Sequence, residues 1–399
     1  MALLTYEYRL YPRRGEQQRL ALMLEQSREV YNAALAECQA FYAANGKSMK
    51  AIAQWSYFRE WRKQAGILLN ASSLQQLLRR LDKSYGAFFR RVKAGEKSGH
   101  PRFKGHERFN SLEYTYGDGC KFTPTIGTTA TLYVQNVGNL KVKLHRPLPA
   151  GAIVKHVILK RKASGWYAYL MLDVPEPERV VSENPLVGVD VGLLRLLTLS
   201  DGTEIDNPRW LRHSLKKLRT AQRTLSRRRK GSHRRHTARQ QVALLHEHVA
   251  NTRKDFWHKT TRKLVNTYRA IALENLSPRF MLANRRLALS AADAGFGMFQ
   301  KLLTSKAENA GCELLWVRAA YTSQVCSGCG CIVEKALSVR VHDCPHCSLV
   351  VDRDLNAARN IYSLAFKSAW TVPSGDNVAP LAVPSGAGKR KRSLRSIRL

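Results

Sequence analysis

Residues 3–11, LLTYEYRLY, alternate between apolar and polar positions and are rich in aromatics, which predicts a β-strand. Pro12 and Gly15 end that alternation. From Glu16 to about Ala44 the pattern becomes helical, with Leu20, Met23, Leu24, Val30, Tyr31 and Leu35 recurring on one face. Two further helical stretches cover about 50–65 and 71–93. The second of these lines up Leu74, Leu77, Leu78, Leu81, Tyr85, Phe88 and Phe89. Residues 13–109 therefore read as a small helical domain closed by the basic loop KAGEKSGHPRFKGHERF.

Between about 110 and 182 the period changes to two. LEYTYG, KFTP, TLYV, LKVKLH, AIVKHVILKRK and WYAYLMLDV read as short strands of a β-barrel or sandwich, with a hairpin turn at 162–165. The strand at 3–11 has no neighbour unless it joins this sheet. Residues 1–12 and 110–182 are therefore expected to form one β domain, with the helical domain inserted into it.

After the linker PEPERVVSENP come the strand LVGVDVG, a hairpin partner LRLLTLSDG and a third short piece near 203–205. Two long basic helices follow, about 208–229 and 235–268, then the strand RAIALENL and a helix at about 296–310. The strand CELLWVRA, a cysteine-rich insert and a helix at 354–367 complete the pattern. The order βββ-α-β-α-β-α is that of ribonuclease H-like folds. The expected architecture is thus multidomain α+β, with an RNase H-like α/β domain over 183–322 and 350–370 and an insert at 323–349. The Pro-, Gly- and Ser-rich tail 371–399 ends KRKRSLRSIRL and is expected to be disordered.

Charge narrows the function. The 399 residues carry 66 Lys+Arg against 30 Asp+Glu, a formal net charge of +36. Such a surplus repels itself unless a polyanion neutralises it, which points to nucleic acid and away from an ordinary small-molecule enzyme. Residues 207–246 hold 13 Lys/Arg and no Asp or Glu, including SRRRKGSHRRH. A helix running along a duplex would set Arg227, Arg228, Arg229, Lys230, Arg234 and Arg235 against phosphates. A second cluster, Arg79 to Arg108, interleaves 10 Lys/Arg with Phe88, Phe89, Phe103 and Phe109, and offers Arg102 and Lys104 to nucleic acid. Glu7 and Arg9 interrupt any signal-like apolar start, and no apolar run approaches the roughly 18 residues of a membrane helix. No membrane association and a reducing, cytoplasmic location are expected.

Two sets of residues carry candidate chemistry. Asp190 lies inside the apolar strand LVGVDVG, and Glu274 ends the strand IALE. A carboxylate on a buried strand costs several kcal/mol unless it is paired or metal-bound. With the acidic DRD opening the last helix, three hard oxygen donors could converge on a pair of Mg2+ ions. The third acid is Asp352 or Asp354: the former could cap the helix, and spacing alone does not choose. Cys326, Cys329, Cys344 and Cys347 read C-x2-C-x14-C-x2-C, the spacing of a closed structural zinc site. Cys331 and His346 stand nearby as possible substitutes, and Cys38, Cys120 and Cys312 read as core thiols.

In that order and at those distances, GVDVG, ALENL, YTSQVCSGCG, CPHC and VDRDLNAARNI resemble the TnpB (OrfB) proteins encoded by insertion sequences. They are also similar to the smaller type V CRISPR effectors. YEYRLYP and GHPRFKGHERFNS resemble the N-terminal half of the same family. The resemblance implies an RNA-guided DNA endonuclease of the prokaryotic cytosol, acting on a double-stranded target with a guide RNA; a monomer is favoured over an oligomer, with the sequence not deciding between them. Its fold would be a β-barrel wedge domain with an inserted helical recognition domain, then a RuvC-like nuclease interrupted by a zinc ribbon. The family's catalytic acids fall on Asp190, Glu274 and Asp354, its zinc ligands on Cys326, Cys329, Cys344 and Cys347. A strand-transferring transposase with the same acids, or a non-cutting RNA-guided regulator, is the alternative.

Overall fold

The computed structural model describes residues 2–106, 108–124, 127–175, 183–275, 279–318, 321–336 and 338–367. The chain forms two compact units, residues 1–179 with 210–255 and residues 180–209 with 256–399.

The first unit opens with β1 (Ala2–Tyr11) and α1 (Arg14–Asn45). Glu16 accepts the free N–H of Arg13 at 2.6 Å, and Gly46, at φ 63°, closes the helix in the left-handed region. A 3-10 turn (Ala51–Gln54) runs into α2 (Trp55–Gln64), and α3 (Ala71–Lys93) follows. Asn70 caps α3 by accepting the Ser73 N–H at 2.8 Å. Leu74, Leu77, Leu78 and Leu81 of α3 are buried as their spacing predicts. Phe89, placed on the same face by the sequence, is instead 47% exposed, because the last two turns of α3 run past the core.

Six strands follow: β2 (Ser111–Thr115), β3 (Cys120–Pro124), β4 (Thr129–Val134), β5 (Gly138–Lys143), β6 (Ile153–Lys162) and β7 (Gly165–Val174). Alternating burial along β7 matches its alternating sequence. With β1 they make one seven-stranded sheet in the order β2-β6-β7-β1-β5-β4-β3. The N-terminal strand thus lies mid-sheet, paired with β7 over Ala2–Leu10 and with β5 over Arg9–Tyr11. Among the described residues no strand ladder joins the two edges of the sheet into a closed barrel. Among the described residues its edges β2 and β3 meet only around the 116–119 turn, where Gly117 N–H bonds Cys120 O.

Helix α4 (Trp210–Arg227) and most of α5 (His233–Thr267) also belong to this first unit, whereas the sequence placed them within the segment 183–322. Glu247 of α5 accepts from the Ser164 N–H at 3.0 Å at the β6–β7 turn, and Lys254 reaches Glu7 at 3.0 Å. Burial pushes the Glu7 carboxyl up, but Lys162 and Lys254 outweigh it and hold it below the usual carboxylate range.

The second unit contains β8 (Leu186–Val191), β9 (Arg195–Leu199), β10 (Glu204–Asp206), the end of α5 and β11 (Ala270–Glu274). It continues with α6 (Arg279–Ala283), α7 (Ala288–Ala294), α8 (Phe296–Ala310) and β12 (Glu313–Val317). The strands order as β10-β9-β8-β11-β12, with β11 parallel to β8 and β12 and the hairpin β8-β9-β10 antiparallel. Between β12 and the last helix α9 (Arg353–Phe366) lies an insert holding the two-stranded ribbon β13 (Val341–Asp343) and β14 (Val350–Asp352). Trp257 is fully buried, packs tilted against Phe299 with ring centroids 4.6 Å apart and donates its indole N–H to Ala294 O at 2.8 Å.

A side chain at Gly188 would collide with the backbone of Ala358 and Tyr362, so this glycine lets α9 lie directly against β8. No helix among the described residues is long and apolar enough to cross a membrane. The tail 371–399 lies outside the described residues.

Candidate functional site

The parallel register pairs Gly188 with Ala272 and Val189 with Leu273. The next residues along are Asp190 and Glu274, so both acids stand at the same ends of adjacent strands. β11 is buried along its whole length, and Glu274 is 7% exposed. Asp354, in the first turn of α9, is buried to the same degree, and α9 is brought in by the close approach at Gly188. Burial, and then the charges of Glu274 and Asp354, push the Asp190 carboxyl up to about 8. Burial raises Glu274 as well, against a hydrogen bond from Thr322 that lowers it.

The two acids of DRD have different partners. Asp352 caps α9, accepting the Asp354 N–H at 2.8 Å and the Leu355 N–H at 3.4 Å, while Arg195 reaches its other oxygen at 3.3 Å. Asp354 does not cap; it takes an ion pair from Arg340 of the insert and lies close enough to Asp190 to raise it. Three carboxyl groups gather here, with Arg340 paired to Asp354 and Arg353 lowering Asp190, and burial with mutual repulsion still raises Asp190. Hard carboxylate oxygens of this kind suit a small divalent cation.

The cysteines are gathered more tightly. The Sγ atoms of Cys326, Cys329, Cys344 and Cys347 all lie within 4.8 Å of one another, the one such cluster of His, Cys, Asp or Glu among the described residues. Cys326–Cys347 and Cys329–Cys344 are each 3.6 Å apart. A tetrahedral ion with metal–sulfur bonds of about 2.3 Å sets its sulfurs about 3.8 Å apart, so the thiols fit one zinc-sized ion. The two knuckles share one geometry. Gly330 N–H bonds Cys326 O and Ser348 N–H bonds Cys344 O, both at 2.9 Å. The residue at that fourth position is left-handed in each, φ 78° at Gly330 and 57° at Ser348. Cys331 and His346 are not in the cluster; Cys331 instead accepts the Cys326 N–H through its carbonyl.

The basic residues divide by exposure. Arg227, Arg228, Arg229, Lys230 and Arg234 are exposed around the α4–α5 turn, as is Arg102. Arg235 serves the turn itself, donating to Leu225 O at 2.8 Å and Arg228 O at 2.9 Å. Lys104 is half-buried, its backbone clasped by Asn32 and its ammonium 5.6 Å from the Tyr31 ring. Of the 18 residues of α4 only Trp210 and Leu218 are buried.

Sequence reasoning overlooked Thr322 and Arg340, which bond Glu274 and Asp354, and Asn356 and Asn360, which bond the backbone of the 322–327 segment. One signal was available: Asn356 and Asn360, four apart, share a helix face with Ala357 and Ile361. Both asparagines are fully buried.

Three comparisons bear on this arrangement. Family models match at residues 169–285 ("Probable transposase", the OrfB group of IS605-type elements) and 296–361 (the TNB domain of Cas12f1-like proteins). A "Helix-turn-helix domain" of the same OrfB group matches residues 1–47, which here form β1 and α1. A Streptomyces pristinaespiralis protein whose name describes an RNA-guided DNA endonuclease is 31% identical over 396 residues, 96% of this chain and 94% of its own length. InsQ of Escherichia coli K12, described in the same words, is 27% identical across 90% of this chain and 91% of its own length. Among solved structures, a Cas12f1–sgRNA–target DNA complex matches at TM-score 0.58 and 17% identity, covering 87% of this chain and 82% of that one, a likeness of fold. With near-complete alignment to such relatives and OrfB models at both the N-terminus and the centre, the chain belongs to the TnpB (OrfB) family of insertion-sequence proteins.

Proposed function

We propose that this protein is an RNA-guided DNA endonuclease encoded by a transposable element, cutting target DNA beside a short adjacent motif. What supports the reading is that Asp190 and Glu274 stand at the same ends of adjacent strands, with Asp354 near enough to raise Asp190, in a chain that aligns over 96% of its length with a relative named for that activity.

In this reading the second unit is the RuvC-like, RNase H-type nuclease, and the insert 323–349 is its zinc ribbon. The seven-stranded sheet with the helices of 13–109 is the wedge and recognition region. Asp190, Glu274 and Asp354 would hold a pair of Mg2+ ions, and Cys326, Cys329, Cys344 and Cys347 would hold one Zn2+. When bound, the magnesium pair would activate a water and stabilise the leaving 3′ oxygen of a phosphodiester. The protein's own part is positional. The sheet fixes Asp190 and Glu274, the close contact at Gly188 fixes Asp354, and the Asp352 cap frees Asp354 to face the other acids. The closed cysteine site has no open position and serves folding.

Arg227, Arg228, Arg229, Lys230 and Arg234, with Arg102 and Lys104, take phosphates of guide RNA and target. Arg235 contributes through the turn it holds. Base pairing of guide to target, over up to about 20 bp, then supplies the sequence specificity.

The test is to purify the protein from cells carrying its native flanking DNA and to sequence co-purified RNA. A discrete RNA that directs cleavage of a matched plasmid in Mg2+ is expected. Strand joining at transposon ends without RNA would favour a transposase instead.

A further inference from the structure

The buried polar residues between the cysteine cluster and the carboxylates form one continuous chain of hydrogen bonds. Thr322, 5% exposed, donates its hydroxyl to Glu274 Oε1. The carbonyl of Thr322 accepts from Asn360 Nδ2 at 2.8 Å. The same amide donates to Val325 O at 2.7 Å, which also accepts from Asn356 Nδ2 at 2.7 Å. Asn356 Oδ1 in turn accepts the Ser327 N–H at 2.9 Å. Val325 and Ser327 flank the first cysteine ligand, Cys326. Two side chains of α9 thus clasp the segment that begins the metal knuckle and ends on Glu274.

We infer that Thr322 is a positioning residue for Glu274, and that Asn356 and Asn360 make the zinc knuckle the anchor from which Thr322 is held. This rests on the reading of Glu274 as a magnesium ligand and goes beyond it by giving the ribbon a specific mechanical task at the cutting site. The physical reason is geometric. A carboxylate alone at a strand end rotates about three side-chain torsions. A hydroxyl donating to one oxygen fixes its plane and leaves Oε2 free to ligate. That hydroxyl is itself fixed only if its backbone is fixed, and Asn360 fixes it from the helix that also carries Asp354. Two of the three acids are thereby set by the same helix. Outer partners of metal ligands commonly change metal affinity or activity by about 10–100-fold when removed.

The experiment uses the full chain with its guide RNA and compares Thr322→Val, Thr322→Ser and Asn360→Leu, with Glu274→Gln as control. Three quantities are read: Mn2+ binding by electron paramagnetic resonance, zinc content, and the Mg2+ dependence of cleavage. Thr322→Val is expected to keep its zinc while Mn2+ affinity falls about 10-fold or more, with the Mg2+ needed for half-maximal cleavage rising in parallel. Thr322→Ser, which retains the hydroxyl, should recover most of that loss. Asn360→Leu should show the same shift, and combining it with Thr322→Val should add little, because both act through one hydroxyl. Wild-type Mn2+ affinity in zinc-loaded Thr322→Val overturns the inference, as does a purely additive double variant. If Thr322→Val fails to fold, Thr322→Ser with Asn360→Leu decides the matter. Glu274→Gln separates the two levels: unchanged Mn2+ binding there defeats the underlying metal-site reading, whereas lost binding there with an unaffected Thr322→Val defeats the positioning role alone.

Discussion

Two regions of this protein concentrate like charge, and they do so in opposite ways. Around the α4–α5 turn the positive side chains of Arg227, Arg228, Arg229, Lys230 and Arg234 stand exposed, and residues 207–246 contain no acid at all. At the ends of β8 and β11 the negative side chains are few, and Glu274 and Asp354 are buried. Exposed charge spread over a helical hairpin suits a large, flexible polyanion whose phosphates come to it. Buried charge converging from two strands and a helix suits a small cation drawn into a fixed frame. In the proposed reading the difference separates holding the nucleic acid from cutting it, and that separation can be broken experimentally.

The largest expected effect is at the acids. Asp190→Ala or Glu274→Ala should reduce cleavage below detection while guide and target binding persist, measured by plasmid cleavage alongside filter binding. Next is the cysteine cluster. Chelating zinc, or Cys344→Ser, should lower the melting temperature of the second unit by several degrees or more. Metal-binding energy at such a site is folding energy, and each kcal/mol is worth about 2–4 °C in a unit of this size. An apo protein with an unchanged transition would show that the thiols hold nothing structural.

The basic hairpin should give a graded effect. Replacing Arg227, Arg228, Arg229 and Lys230 by Gln should weaken binding to target duplex DNA and flatten its salt dependence, by about 0.9 in log–log slope for each phosphate left unneutralised. Arg235→Gln should instead lower thermal stability, since its guanidinium is spent on the carbonyls of Leu225 and Arg228. Equal salt slopes for the two variants would erase the distinction between exposed and structural arginines.

A separate effect, outside cleavage and binding, concerns pH in metal-free protein. With Asp190 raised to about 8 by burial and its acidic neighbours, the folded chain keeps a proton that the unfolded chain releases near the ordinary carboxylate value. Stability should therefore fall as pH rises between roughly 4 and 8 and level off above. Asp190→Asn should flatten that slope in calorimetric scans, and added Mg2+ should offset the loss at pH 8.

Much of this was legible in the chain. The alternation at 3–11 and 110–174 predicted strands that do pair, and the isolation of the first strand correctly implied that it joins the later sheet. The cysteine spacing pointed to the set that clusters, because a knuckle is a local structure fixed by a few residues. Long-range facts were less visible. The open edges of the seven-stranded sheet depend on where β2 and β3 stop pairing, which no single segment encodes. The packing of α5 in the first unit includes Glu247 meeting Ser164 and Lys254 meeting Glu7, pairs distant in sequence. Phe89 read as core because its spacing is right, yet α3 outruns the core before reaching it. At the acids, spacing left Asp352 and Asp354 equivalent. The resemblance favours Asp354, and the structure adds that Asp352 caps α9 while Asp354 pairs with Arg340.

The most direct test of the central claim is cleavage of a matched plasmid by the guide-loaded protein, with the guide's targeting segment then rewritten to a second sequence. The account predicts that the cut moves with the guide, requires Mg2+ and vanishes in Asp190→Ala while target binding remains. A cut that ignores the guide, or one that Asp190→Ala still makes, would contradict it.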